Sequence, residues 1–311
     1  MKEKVIVIVG PTAVGKTSLS ISLAQQLNGE IISGDSMQIY KGLDIGTAKA
    51  TQKERSQIPH YLIDEIEPTE AYTVSDFKEK ASARIEEIAS RDKLPIIAGG
   101  TGLYIESLLY NVSHGGSAAP NPVYRAEMER YAAKHGNKSL WKKLADTDPE
   151  AAEKIHFNNV RRVIRALEVF KTTGKRFSVL QSEKQQKEKL YDAFIIGLTT
   201  DRALLYQRID SRVDEMLELG LLKEAEKLIR SVPADAQSIK GIGYKEWIPY
   251  FEGEESLEKA TEKVKQNSRR YAKRQLTWFR NRMEVSGWWN LVEYPETKSE
   301  LLEQIEVFLR T

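Results

Sequence analysis

Val5-Ile6-Val7-Ile8-Val9-Gly10-Pro11-Thr12-Ala13-Val14-Gly15-Lys16-Thr17 is the stretch that decides the fold. Val5 to Val9 is a continuous apolar, β-branched run, the pattern of a strand buried on both faces of a parallel sheet. Gly10 to Thr17 matches GxxxxGK[ST] directly after that strand and directly before a helical pattern, the context this motif requires. Its glycines let the backbone curl so that successive N–H groups and the helix N-terminus point at phosphate oxygens. Lys16 adds charge and Thr17 offers a hydroxyl to Mg²⁺. The motif does not say which phosphate: the diphosphate of any organic group fits such a cradle as well as a nucleotide.

Outward from this stretch, a helix from about Gly15 to Leu27 places Leu19, Leu23, Ala24 and Leu27 on one side, and Asn28-Gly29 ends it. Glu30 to Ser33 and Tyr61 to Ile63 read as short strands. Thr73-Val74-Ser75-Asp76 is a capping signal for a helix running to about Ser90. Leu94 to Ala98 is a further buried strand, closed by Gly99-Gly100-Thr101-Gly102 and a helix from Leu103. This alternation predicts an α/β fold: a P-loop open parallel sheet flanked by helices. The alternation breaks at Asn111 to Pro122, a linker by composition. Helical patterns follow, the clearest from Asn158 to Thr173, with Val160, Val163, Ile164, Leu167 and Phe170 as its apolar stripe. Phe194 to Leu198 resumes strand character, and Asp201 can cap the next helix. Residues 1–112 and 193–311 are therefore expected to form the core, and residues 113–192 a mainly helical insertion domain.

At 311 residues, 41% hydrophobic and 30% charged, the chain lies in the ordinary globular range. No stretch approaches the roughly 20 apolar residues of a membrane helix, and the N-terminus lacks a secretory pattern, so no membrane association and a cytoplasmic location are expected. Zero cysteines exclude disulfides, Fe–S clusters and thiolate zinc sites, and four scattered His offer no ligand cluster, so any metal is oxygen-bound. The net charge is only +2, but residues 113–192 hold 16 Lys+Arg against 10 Asp+Glu. A basic segment in an otherwise mildly acidic chain points to a polyanionic partner, although such charges also suit a solvated surface.

A P-loop NTPase usually ends an apolar strand in an Asp that helps to hold Mg²⁺. Here Leu94 to Ala98 ends instead in Gly99-Gly100-Thr101. The acid best placed by motif logic is Asp35, at the end of the second strand, where α/β sheets put ligands. Alone, such a residue reads equally as a turn or cap carboxylate.

Asp35-Ser36-Met37-Gln38-Ile39-Tyr40, Gly46-Thr47-Ala48-Lys49, Pro59-His60-Tyr61-Leu62-Ile63-Asp64 and Gly99-Gly100-Thr101-Gly102-Leu103-Tyr104 together resemble the tRNA dimethylallyltransferase family, bacterial type. The resemblance continues through Asn159 to Arg165 with Ala166-Leu167-Glu168-Val169, Gly243-Tyr244-Lys245-Glu246, Tyr271-Ala272-Lys273-Arg274-Gln275 and Thr277-Trp278-Phe279-Arg280. It covers nearly the whole chain. Ala50 stands where the family usually has Pro, and Tyr61 where a second His is common.

The resemblance implies transfer of a dimethylallyl group from dimethylallyl diphosphate to N6 of adenosine 37, beside the tRNA anticodon. Gly10, Pro11, Thr12, Ala13, Val14, Gly15, Lys16 and Thr17 would bind the diphosphate, with Mg²⁺ near Thr17. Asp35 would accept the N6 proton, and an Arg of the helix after Asp201, Arg208 before Arg212, would stabilise the leaving group. Asp35, Ser36, Met37 and Gln38 would meet the flipped adenine, Gln38 through its amide. Thr101 would contact the nucleotide or the substrate phosphate, its alternative role being a helix N-cap. Asn159, Val160, Arg161, Arg162 and Val163 are similar to the segment that approaches the anticodon stem-loop. Lys265 to Arg282 carries seven Lys/Arg and no acid, so Arg270, Lys273 and Arg274 suit RNA phosphates. A monomer is expected. A P-loop small-molecule kinase using ATP and Mg²⁺ is the competing reading, and a non-enzymatic RNA-binding P-loop protein a third.

Overall fold

The computed structural model describes residues 2–111, 121–182 and 188–311. The chain forms two compact units, one of residues 1–109 and 190–311, the other of residues 110–189. Most of the Asn111 to Pro122 linker and most of the polar Lys184 to Lys189 run lie outside the described residues.

The first unit is built on a six-stranded, all-parallel sheet in the order β3-β2-β4-β1-β5-β6. Its strands are β1 (Lys4–Val9), β2 (Gly29–Ser33), β3 (His60–Tyr61), β4 (Leu94–Gly99), β5 (Asp192–Leu198) and β6 (Gly287–Trp289). The helices between and after them are α1 (Lys16–Gln26), α2 (Gln52–Gln57), α3 (Val74–Ala89), α4 (Gly102–Leu109), then α10 (Arg202–Glu218), α11 (Leu221–Ser231), α12 (Ile248–Phe251), α13 (Leu257–Arg282) and α14 (Lys298–Arg310). The second unit supplies α5 (Pro122–His135), α6 (Asn137–Thr147), α7 (Pro149–Lys154), α8 (Val160–Thr173) and α9 (Phe177–Ser182). Among the described residues, no helix is long and apolar enough to cross a membrane.

Val5 to Val9 are wholly buried because β1 is central, pairing with β4 on one side and β5 on the other. The capping signal at Thr73 is realised: Thr73 Oγ1 accepts from Asp76 N–H at 3.2 Å, and Asp76 Oδ2 accepts from Thr73 N–H at 2.8 Å. β3 is shorter than its apolar run suggests. Leu62 and Asp64 adopt left-handed φ of +60° and +56°, which turns the chain off the ladder after Tyr61. β6 is a three-residue edge strand without a period-2 pattern, and α13 starts at Leu257 behind an N-cap from Ser256, ahead of its basic segment.

The insertion has its own apolar cluster, with Leu140, Leu144, Val163, Ile164 and Leu167 at its centre. Phe170 departs from the expected stripe and is exposed. Glu168, fully buried, accepts from Arg125 Nε at 2.7 Å, Arg125 Nη2 at 2.8 Å, Arg165 Nη1 at 2.6 Å and Asn121 N–H at 2.7 Å. Its charge is thereby compensated, as a buried carboxylate requires. The chain leaves the first unit at Leu109 and returns at Leu190, and these two residues are joined by a hydrogen bond from Leu190 N–H to Leu109 O at 2.9 Å. The boundary thus lies at residues 110 and 189 rather than at 113 and 192, because Asp192 already pairs with Lys4 in the sheet.

Candidate active site

In β1 and β4, backbone hydrogen bonds run out at the carboxyl ends, and the loops that follow must solve the problem locally. After β1 the P-loop turns through left-handed φ at Ala13 (+64°) and Gly15 (+100°) before α1 begins at Lys16. At the end of β4 the chain passes very close to its neighbours. A Cβ on Gly99 would lie 2.3 Å from the backbone of Gly34, and one on Gly100 would lie 2.1 Å from Gln275 Nε2. The Gly99 to Gly102 turn is therefore a place where loops converge.

They converge on a cleft of about 1010 Å³ within the first unit, lined by Thr12 to Ser18, Asp35 to Gln38, Gly46 to Ala48, Gly99, Gly100, Arg208, Arg212, Tyr271, Arg274 and Gln275 among others. Lys16 Nζ donates to Gly10 O at 3.0 Å and Pro11 O at 2.7 Å. Burial pushes its ammonium down to about 8, Asp35 opposes that shift, and Arg212 adds to it. For Asp35 burial acts the other way and raises the carboxyl above its ordinary value, while hydrogen bonds from Met37 and Gln38 N–H and the charges of Lys16 and Arg212 limit the rise. The Met37 N–H reaches Asp35 Oδ1 at 2.9 Å, a turn that fixes the carboxylate at the end of β2.

Thr101 Oγ1 accepts from Ser36 N–H at 3.0 Å and lies 3.3 Å from Ser36 Oγ, so the hydroxyl ties the β4 turn to the Asp35 loop. The Gln38 amide has both ends in use. It accepts from Ser33 Oγ at 2.8 Å and donates to Thr47 O at 3.2 Å, so a contact to a base edge requires exchange of these partners. Thr17 lies in the first turn of α1 on the cleft wall, and among the described residues no three His, Cys, Asp or Glu gather as metal ligands. A metal here would rest on one hydroxyl and on oxygens brought by the ligand and water, a mode that suits Mg²⁺.

Arg208 and Arg212 both line the cleft. Arg208 is exposed and donates from Nε to Ala13 O at 2.9 Å, whereas Arg212 is half-buried and its charge acts on both Lys16 and Asp35. Of the α13 cations, Arg274 reaches the cleft, with its guanidinium 5.6 Å from the Tyr271 ring centroid, while Arg270 and Lys273 are exposed outside it. Gly10, Pro11 and Val14 are buried behind the loop, so they shape it rather than present side chains.

Residues 159–163 belong to the insertion. Asn159 caps α8, Oδ1 accepting from Arg162 N–H at 3.4 Å, and Arg161 and Arg162 are exposed. Val160 packs partly against the insertion's apolar cluster, and Val163 is fully buried in it, which removes the Val163 side chain from any interface with RNA. Tyr271 and Gln275 of α13 enter the cleft wall without having been singled out as site residues. Their i, i+4 spacing puts them on one face, but the sequence gives no sign that this face meets the loops of β1 and β4.

A sequence model of the IPP transferase family, described as IPP transferase, matches residues 38–282. A curated relative named tRNA dimethylallyltransferase, from Enterococcus faecalis, is 55% identical over 309 residues, which cover 99% of this chain and 98% of the relative. The crystal structure of a full-length tRNA isopentenylpyrophosphate transferase from Bacillus halodurans is similar at a TM-score of 0.74 and 46% identity, covering 99% of this chain and 97% of that one. A eukaryotic dimethylallyltransferase, in crystallographic snapshots of its action on tRNA, is similar at a TM-score of 0.77 and 35% identity over 89% of this chain and 70% of that one. With the family pattern running through the loops that build the cleft, and near-complete coverage by relatives at this identity, the chain belongs to the IPP transferase family.

Proposed function

We propose that the chain transfers a dimethylallyl group from dimethylallyl diphosphate to N6 of adenosine 37 in the anticodon stem-loop of tRNA. The observation that carries this reading is the placement of a half-buried carboxylate, Asp35, in the same cleft as a complete phosphate cradle. Adenine N6 is a weak nucleophile because its lone pair is delocalised into the ring. Asp35 accepts the N6 proton as the bond from N6 to the allylic carbon forms and the bond from that carbon to the diphosphate oxygen breaks. The departing negative charge is met by the P-loop N–H groups, the Lys16 ammonium and the guanidinium groups of Arg208 and Arg212. Thr17 would hold Mg²⁺ against the diphosphate, where the ion supplies further charge neutralisation. An anticodon-loop base costs less to extrude than one in a duplex, and Ser36, Met37 and Gln38 border the place it would enter. RNA phosphates would meet Arg270, Lys273 and Arg274 on α13, and Arg161 and Arg162 on α8.

The kinase reading loses ground because β4 ends in glycines rather than an acid and because the relatives carry a prenyltransferase name. The test supplies unmodified tRNA with labelled dimethylallyl diphosphate, in parallel with labelled ATP and no prenyl donor. Prenyl label on tRNA at adenosine 37 is the expected result. Transfer of the ATP label to an acceptor would install the kinase reading, and tight tRNA binding with neither label moved would leave an RNA-binding protein.

A further inference from the structure

Gln275 is buried on α13, and its amide spans two loops that are remote in sequence. Its Oε1 accepts from Thr12 N–H in the P-loop at 3.0 Å, and its Nε2 donates to Gly100 O in the turn after β4 at 3.0 Å. β1 and β4 are sheet neighbours paired as far as Val9 and Gly99, so the bridge joins the loops that leave two adjacent strands. A Cβ on Gly100 would lie 2.1 Å from Gln275 Nε2 and would displace the amide, so the close approach depends on residues at both ends. The turn held in this way continues into Thr101, whose hydroxyl receives the Ser36 N–H beside Asp35.

We propose that Gln275 is a positioning residue for the diphosphate site, fixing the Thr12 end of the P-loop relative to the Gly100–Thr101 turn and thereby to Asp35. The inference rests on the reading of the cleft as a diphosphate site. Only a group that accepts at one end and donates at the other serves both partners. An ionised carboxylate accepts from Thr12 but meets Gly100 O with a second acceptor, and an apolar chain of the same size takes this partner from both backbone groups, the one at Gly100 buried. A protonated carboxyl restores the pattern, its carbonyl accepting and its O–H donating.

The test measures affinity for inorganic diphosphate with Mg²⁺, and steady-state transfer, in wild type, Gln275→Leu and Gln275→Glu. Gln275→Leu should weaken diphosphate binding by about tenfold or more, and raise the KM for the prenyl donor in parallel, while the KM for tRNA changes by less than about twofold. Gln275→Glu should bind weakly at pH 8 and approach wild type as pH falls and its carboxyl takes up a proton, read as a ratio to wild type at each pH. Thermal unfolding of each variant separates loss of fold from loss of binding. If Gln275→Leu does not fold, the pH series of Gln275→Glu decides. Wild-type affinity in a folded Gln275→Leu, or a Gln275→Glu ratio that does not move with pH, would overturn the assignment. Absence of diphosphate binding by wild type itself would instead overturn the reading of the site.

Discussion

In the proposed reaction Asp35 has to be ionised to take a proton and Lys16 has to be protonated to hold a diphosphate, yet burial shifts both in the opposite sense. The raised carboxyl of Asp35 loses its charge as pH falls, at a value above the ordinary 3.8, and the lowered ammonium of Lys16 loses its charge as pH rises through about 8. The kcat/KM for the prenyl donor should therefore be bell-shaped, because it reports the ionisation of the free enzyme, with its basic limb beginning near 8. Lys16→Arg should remove that limb, since a guanidinium stays charged across this range. Asp35→Asn should cut the single-turnover rate by roughly 10²-fold or more while tRNA affinity holds. A pH profile in which the basic limb survives Lys16→Arg would assign it to another group. The identities of both residues are legible in the sequence, Lys16 from its motif and Asp35 from the end of a strand plus its neighbours. Their shifted ionisation is not legible, because the residues of α10 and α13 that share the cleft with them follow more than 160 residues later.

α13 shows how one element divides its labour by face. Ala272, Gln275 and Phe279 are buried, while Arg270, Lys273 and Arg274 stand exposed on adjoining positions. The exposed trio is spaced i, i+3, i+4, which makes one basic strip along the helix. Neutralising all three to alanine should weaken binding to every tRNA alike and reduce the slope of log affinity against log salt by up to about 3, since roughly one counterion is released per phosphate contact. A salt series on wild type and the triple variant measures this, and an unchanged slope would take α13 off the RNA surface. The sequence shows the charge run and an inner stripe of Ala272, Leu276, Phe279 and Met283, of which Ala272, Phe279 and Met283 are buried and Leu276 is half-buried. It hides the polar member, because a glutamine on a helix reads as solvent-facing until the loops it serves are placed beside it. The aromatic residues are similarly divided: Phe279 is core, whereas Tyr271 lines the cleft.

At the scale of the whole molecule, the insertion opens and closes at one point of the chain, where Leu190 N–H meets Leu109 O. Replacing residues 110–189 by a short Gly/Ser link should keep the sheet folded and its unfolding cooperative, because the joined ends are already neighbours. Affinity for tRNA should drop by about tenfold or more if Arg161 and Arg162 contribute phosphate contacts. Thermal unfolding and tRNA titration of that variant provide the check, and full affinity in a folded protein would confine RNA binding to the core. The entrance to the insertion was visible as a break in composition near Asn111. The return point was not, since Tyr191 and Asp192 declare their allegiance only through distant partners, Ser82 Oγ for the Tyr191 hydroxyl and Lys4 for Asp192. That last pairing also sets an order in time. A chain made from its N-terminus has all of α5 to α9 before it has β5, so β1, the central strand, goes without its second neighbour until the insertion has been synthesised. The contacts of the helical unit lie within one short stretch of chain, whereas β1 has to wait for a strand that starts 188 residues after its own first residue. The ribosome thus delivers the appendage in full before it delivers the strand that closes the centre of the enzyme.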